Sequence, residues 1–171
     1  MEQALSAANR QVRGILVGLA SFGHAGRIVP AGLRRSHEVA RFHSAHDLAE
    51  TLNPSAPVFC IRPAAATRAG RWFVDNFPGR TFYAVKANPS RWLLRSLIEG
   101  GIENFDVASI NEVRLAREMA PAAELAFMHP VKSREAIAEA YFAHGVRTFS
   151  LDTLSELKKI REVTGEADDL T

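Results

Sequence analysis

From Pro57 onward the chain repeats one rhythm: a short apolar run rich in branched and aromatic residues, a polar residue, then a longer amphipathic stretch. The apolar runs predict strands over residues 58–61, 81–86, 104–107, 124–128 and 147–151. Apolar positions at helical spacing predict helices between and after them, over residues 65–76, 91–99, 110–119, 134–144 and 154–163. Gly79, Gly100, Gly101 and Gly145 stand where those helices should stop, as befits a residue that tolerates a left-handed C-cap. Strands joined by helices in this way form a parallel sheet, either open and doubly wound or closed into a (β/α)8 barrel, and the pattern alone leaves both open. A full barrel has eight units and takes about 250 residues, so five units predict one truncated before closure.

The first forty residues read differently. Arg10, Arg13, Arg27, Arg34 and Arg35 face only Glu2 and Glu38, and residues 14–20 form a brief apolar run. A targeting peptide would look similar, but Ser21, Phe22, Gly23, His24, Ala25 and Gly26 offer no clean cleavage site. The expectation is a basic, poorly ordered extension over residues 1–40, or a start codon placed too far upstream, followed by the barrel portion over residues 41–171. A short helix should begin after Ser44, its cap, and end before Asn53 and Pro54. His43 and His46 within this stretch lack a third ligand nearby, so a solvated helix face is expected and no metal.

Composition narrows the classes. At 171 residues, 47% hydrophobic and 23% charged, the chain can bury one core. Its net charge is +2, and the 21 basic residues are scattered among 19 acidic ones, which argues against a nucleic-acid face. No apolar stretch approaches the roughly 20 residues that span a bilayer, so a soluble chain without a membrane partner is expected, and the lone cysteine suits a reducing cytoplasm. The single cysteine, Cys60, lies in the run Val58, Phe59, Cys60, Ile61 and reads as buried packing.

Chemistry should gather where the strands end, because the C-terminal ends of parallel strands converge on one rim. There the sequence places Lys86, Asp106, His129 and Asp152. A lysine after an apolar strand either snorkels to solvent or is held partly desolvated, which lowers its pKa and makes its amine a nucleophile able to form a Schiff base. Asp106 is placed for function or for an ion pair with Lys86. Ser109 and Glu112 have the spacing of a capping box, so Glu112 has a structural explanation beside a functional one. Pro130 should fix a turn after His129, which reads as a loop histidine, Ser133 should cap the next helix, and Asp152 reads as a helix cap. No Gly-rich phosphate loop appears, which favours the barrel over a nucleotide-binding open sheet.

Phe82, Tyr83, Ala84, Val85, Lys86, Ala87, Asn88 resembles the cofactor-lysine strand of the ornithine, diaminopimelate and arginine decarboxylases, a pyridoxal-phosphate-dependent family of the alanine-racemase-like fold type. Asn104 to Ser109 followed by Glu112, then His129, Pro130, Val131, Lys132, then Ser150, Leu151, Asp152, Thr153 are similar to that family's next segments, in register over about 100 residues. Alanine racemases differ, since Pro89, Ser90, Arg91 and Trp92 stand where they continue into Tyr-Gly-His-Gly. The resemblance implies a partial (β/α)8 barrel, pyridoxal 5'-phosphate held by Lys86 as catalytic residue, and cofactor-site positions at Ala84, Asp106 and Glu112. Phe105, Asp106, Val107, Ala108, Ser109 resembles the ornithine-type branch, which implies decarboxylation of ornithine to putrescine, a polyamine-forming step, or of lysine. The family's stacking histidine, glycine loop, acid for the ring nitrogen and C-terminal β-domain lie further along than this sequence reaches, and its members act as homodimers. The expectation is an incomplete enzyme portion, with a non-catalytic chain that pairs with or regulates a full-length decarboxylase as the alternative.

Overall fold

The computed structural model describes residues 40–171 together with the backbone of Ile15–Val17. The chain divides into two compact units, residues 1–64 and 65–171. In the first, β1 (Ile15–Val17) is the middle strand of a three-stranded antiparallel sheet, flanked by β2 (Ala40–Phe42) and β3 (Cys60–Ile61). Helix α1 (Ala45–Leu52) begins where Ser44 accepts the Asp47 amide and ends at Asn53 in the left-handed region, so its cap and its stop follow the sequence. Phe42 and Leu48, with Val58 against them, form its small core. The rest of the expected extension over residues 1–40 lies outside the described residues.

Two expectations fail in this unit. The run at residues 58–61 does not join the parallel sheet: only Cys60 and Ile61 pair, antiparallel to β1. Pro57 and Pro63 bracket the run, and a residue without an N–H cannot extend a ladder. Cys60 is exposed, not buried, because this two-residue strand lies at a sheet edge.

The second unit carries four parallel strands in chain order: β4 (Phe82–Ala84), β5 (Asn104–Val107), β6 (Glu124–Phe127) and β7 (Thr148–Phe149). The register sets Ala84 beside Asp106, Asp106 beside Ala126, and Ala126 beside Thr148. On the outer edge of β7, the Thr171 amide donates to the Arg147 carbonyl at 2.9 Å and its carbonyl accepts from Phe149 at 3.0 Å, the alternation of a parallel partner.

Side chains alternate across the sheet. Phe105, Val107, Leu125, Phe127 and Phe149 point to one face, where Leu94 and Leu97 of α3 (Arg91–Glu99), Val113 and Ala116 of α4 (Ile110–Met119), Ile137 of α5 (Arg134–Ala138) and Ile160 of α6 (Leu154–Thr164) complete one core. Phe105 and Phe127 are wholly buried, each contributing about 1.5–3 kcal/mol. Phe82, Ala84, Asn104, Asp106, Glu124, Ala126 and Thr148 share the opposite face. Helices α4 and α5 start as their sequences predict, with Ser109 and Ser133 accepting the amides of Glu112 and Ala136, whereas α6 is capped by Thr153, which accepts the Glu156 amide. Asp152 is therefore not the cap; it precedes it. The helix expected over 134–144 changes pitch: α5 passes into a wide turn over Glu139–Ala143, where the His144 amide reaches back to the Glu139 carbonyl.

Helix α2 (Pro63–Asn76), with proline at its first position, approaches α3 closely at Gly100. A Cβ there would lie 2.6 Å from the Thr67 carbonyl oxygen and 3.1 Å from the Arg71 nitrogen, both backbone atoms. Gly100→Ala should cost about 1–3 kcal/mol of stability through overpacking, read as a lower urea midpoint; an unchanged midpoint would show that the helices are further apart.

Glu139 is gripped by Arg114 through two bonds of 2.6 Å and lies 3.2 Å from His144. The Arg114 guanidinium, with a lesser contribution from His144, lowers its carboxyl from 4.5 to about 2. A carboxyl depressed on folding stabilises fully above its unfolded value and loses that contribution as pH falls through the folded value. The stability difference between the native sequence and Glu139→Gln should therefore hold steady above pH 4.5 and shrink toward pH 2 in urea titrations.

Candidate active site

The chain leaves β4 by a tight turn. After Ala84 the backbone winds into a single 3-10 turn over Val85–Ala87, so Lys86 sits on that turn and not at the end of an extended strand as predicted. The cause is local: Pro89 disfavours helical backbone at Asn88, which is extended at φ −162° and ψ 101°, so the turn must close before it. The half-buried Tyr83 hydroxyl donates to the Asn88 carbonyl at 3.2 Å, and Asn88 Oδ1 accepts the Ser90 amide at 3.0 Å. Burial pushes the Tyr83 phenol up, partly offset by that hydrogen bond. Lys86 itself is exposed, while Val85 beside it is fully buried in the core.

Asp106 is half-buried on the neighbouring strand, opposite Ala84. Its Oδ1 is buried and meets no hydrogen-bond partner among the described residues. The ion pair with Lys86 that the sequence allowed does not form. Glu112 acts as a cap: its Oε2 accepts the Ala108 amide at 2.9 Å while its own amide donates to Ser109 at 3.3 Å, which pins the loop leaving β5. Lys86, Asp106 and the Ala108–Glu112 turn thus share the C-terminal end of two adjacent strands.

His129 and Asp152 are exposed on the loops after β6 and β7. His129 Nδ1 accepts the Val131 amide at 3.2 Å. His46 pairs with Glu50 on the open face of α1, the solvated arrangement expected for it.

Sequence reasoning missed the most buried ionic group of this rim. The Lys132 side chain is 0% exposed and lies 3.1 Å from Glu156, itself 4% exposed. Burial pushes the Lys132 ammonium below the ordinary lysine value, and Glu156 opposes that. Burial would raise the Glu156 carboxyl, but hydrogen bonds from Lys159 and Lys132 outweigh it and hold the group below its ordinary value. The partners stand 24 residues apart, so no local pattern flags them.

A cavity of about 450 Å³ opens at the other end of the strands, lined by Val74, Arg80, Thr81, Ile102, Asn104 and Glu124, with Arg80 paired to Glu124. It lies beside the first residues of β4, β5 and β6, away from Lys86.

Residues 65–170 match the pyridoxal binding domain of the pyridoxal-dependent decarboxylases. A lysine/ornithine decarboxylase of Selenomonas ruminantium is 36% identical over 88 residues, covering 51% of this chain and 22% of that protein. A probable ornithine decarboxylase of Dictyostelium discoideum is 35% identical over 100 residues, covering 57% of this chain and 21% of that protein. The chain therefore spans about a fifth of the length of these curated relatives. Among solved structures, the lysine/ornithine decarboxylase of Vibrio vulnificus complexed with cadaverine superposes with a TM-score of 0.58 at 25% identity, covering 74% of this chain and 35% of that one.

Glu112→Ala should remove the bond to the Ala108 amide and cost about 1 kcal/mol, whereas Glu112→Gln, which can still accept, should cost less. Chemical denaturation of the two variants checks this, and equal losses would rule out a capping role.

Proposed function

Because the chain belongs to the pyridoxal-dependent decarboxylase family through its pyridoxal binding domain, we propose that Lys86 is the lysine that holds pyridoxal phosphate. We further propose that the protein of which these residues form the binding part decarboxylates a basic amino acid, ornithine or lysine. The observation that carries the reading is a comparison of the chain's four lysines. Lys132 is buried against Glu156, Lys159 is engaged with Glu156 and the Lys132 carbonyl, and Lys158 lies on the open face of α6, 3.8 Å from Glu162. Lys86 is exposed at the strand-end rim, and no acceptor among the described residues holds its ammonium. It is the lysine placed to offer a free amine where parallel α/β folds build their sites.

The surroundings fit the cofactor. Asp106 supplies a buried carboxylate oxygen without a partner, on the strand next to Lys86, and an unpaired buried acceptor is costly unless a polar group of a ligand meets it. Ala84, directly across from Asp106, keeps the inner face of the sheet shallow there. Lys86 would bind the cofactor covalently through its amine, Asp106 would set the local charge, and Glu112 would act indirectly, by holding the Ala108 amide and the loop that follows Asp106. Pyridoxal phosphate, when bound, supplies an electron sink for the pair left as the substrate carboxylate departs. The preference for ornithine or lysine rests on the two curated relatives, which are named for those substrates.

A second reading, a non-catalytic chain that pairs with a longer decarboxylase, draws on apolar side chains left open near the same rim: Val131, Leu151 and Leu154, the last 82% exposed. It needs no cofactor at Lys86, so one experiment separates the two. The chain is incubated with pyridoxal phosphate, reduced with borohydride and mapped by mass spectrometry beside Lys86→Ala. Label confined to Lys86 and lost in the variant is the expected result. Label on Lys158 and Lys159, unchanged in the variant, would contradict it.

A further inference from the structure

Lys132 has no part in that proposal, yet its three ammonium hydrogens meet three acceptors: the His129 carbonyl at 2.9 Å, the Ser150 carbonyl at 2.6 Å and Glu156 Oε1 at 3.1 Å. The acceptors belong to the loop after β6, the end of β7 and the first turn of α6. Glu156 also accepts the Lys132 amide at 3.1 Å and pairs with Lys159 at 2.6 Å, and Lys159 in turn donates to the Lys132 carbonyl at 2.6 Å. Withdrawing an ammonium this completely from water costs more than an apolar side chain of the same size would, so the arrangement is better explained by what it fixes than by what it adds to stability.

What it fixes is the loop carrying His129. The Lys132 ammonium holds the His129 carbonyl, Pro130 restricts the backbone between them, and the Val131 amide donates to His129 Nδ1 at 3.2 Å. With Nδ1 accepting, the neutral ring carries its hydrogen on Nε2. The exposed imidazole therefore offers a donor on the same rim as Lys86. We infer that Lys132, braced by Glu156, is a positioning residue that presents His129 Nε2–H to an anionic oxygen of a ligand bound at the strand ends. The inference rests on the proposed function for the identity of that ligand, pyridoxal phosphate, and on the geometry alone for the clamp.

The clamp is tested without ligand by following the Val131 amide resonance while the His129 ring is titrated. Protonating Nδ1 removes the acceptor, so in the native sequence the Val131 amide should follow the His129 ring. In Lys132→Met the two should uncouple while the His46 ring is unmoved, and Glu156→Gln, which keeps the volume, should show the same if Lys132→Met does not fold. Coupling unchanged in the folded variants would overturn the clamp. The ligand is tested by pyridoxal phosphate binding: His129→Ala and Lys132→Met should each weaken it about five-fold, the worth of one hydrogen bond, and the double variant should be no weaker than either. Additive losses, or none, would overturn the link to His129. Labelling that misses Lys86 while the Val131 coupling persists would sink the cofactor reading and leave the clamp standing.

Discussion

The rim depends on the contact between one apolar face of a four-stranded parallel sheet and the helices that cover it. Phe105, Val107, Leu125 and Phe127 pack against Leu94, Val113, Ile137 and Ile160, and this burial is the main force that holds four short strands in register. Strand alternation then leaves Asp106 no choice of face: with Phe105 and Val107 committed to the helices, Asp106 must face the other way, beside Ala84 and Ala126. Val85, wholly buried, anchors the turn next to it, so Lys86 emerges at a fixed place. The chemistry of the rim is in this sense a by-product of where the phenylalanines go.

The polar groups of the rim divide by how they are satisfied. Lys132 and Glu156 are buried and fully partnered, which makes them structural cations and anions with no capacity left for a ligand. Lys86 and one oxygen of Asp106 are the reverse, without partners among the described residues. The four lysines of the chain thus stand in distinct environments, and the difference lies in burial and acceptors, not in sequence context.

Local features were legible in the sequence. Helices over 91–99 and 110–119 and the strand over 104–107 appear where predicted, because their caps, periodicity and flanking glycines all lie within a few residues. The Ser109 and Glu112 spacing gave the cap directly. Features that depend on distant partners were not legible. An apolar run such as residues 58–61 says that a strand is possible, but not which sheet takes it, and its pairing with Ile15–Val17 joins segments more than forty residues apart. Nothing local singles out Lys132, because Glu156 and Ser150 reach it only after folding. The apolar run predicts Lys86 at a strand end, but Pro89 disfavours helical backbone at Asn88 and the turn closes before it, a signal that is present in the sequence.

We propose that the ligand of this chain binds at the C-terminal ends of β4, β5 and β6, and not in the hollow of about 450 Å³ at their other ends. Amide chemical-shift mapping during titration with pyridoxal phosphate tests it most directly. Shifts grouped at residues 86–88, 106–109 and 129–132 are the expected result. Shifts grouped instead around Arg80, Gly101 and Glu124 would place the ligand in the opposite cavity and contradict it.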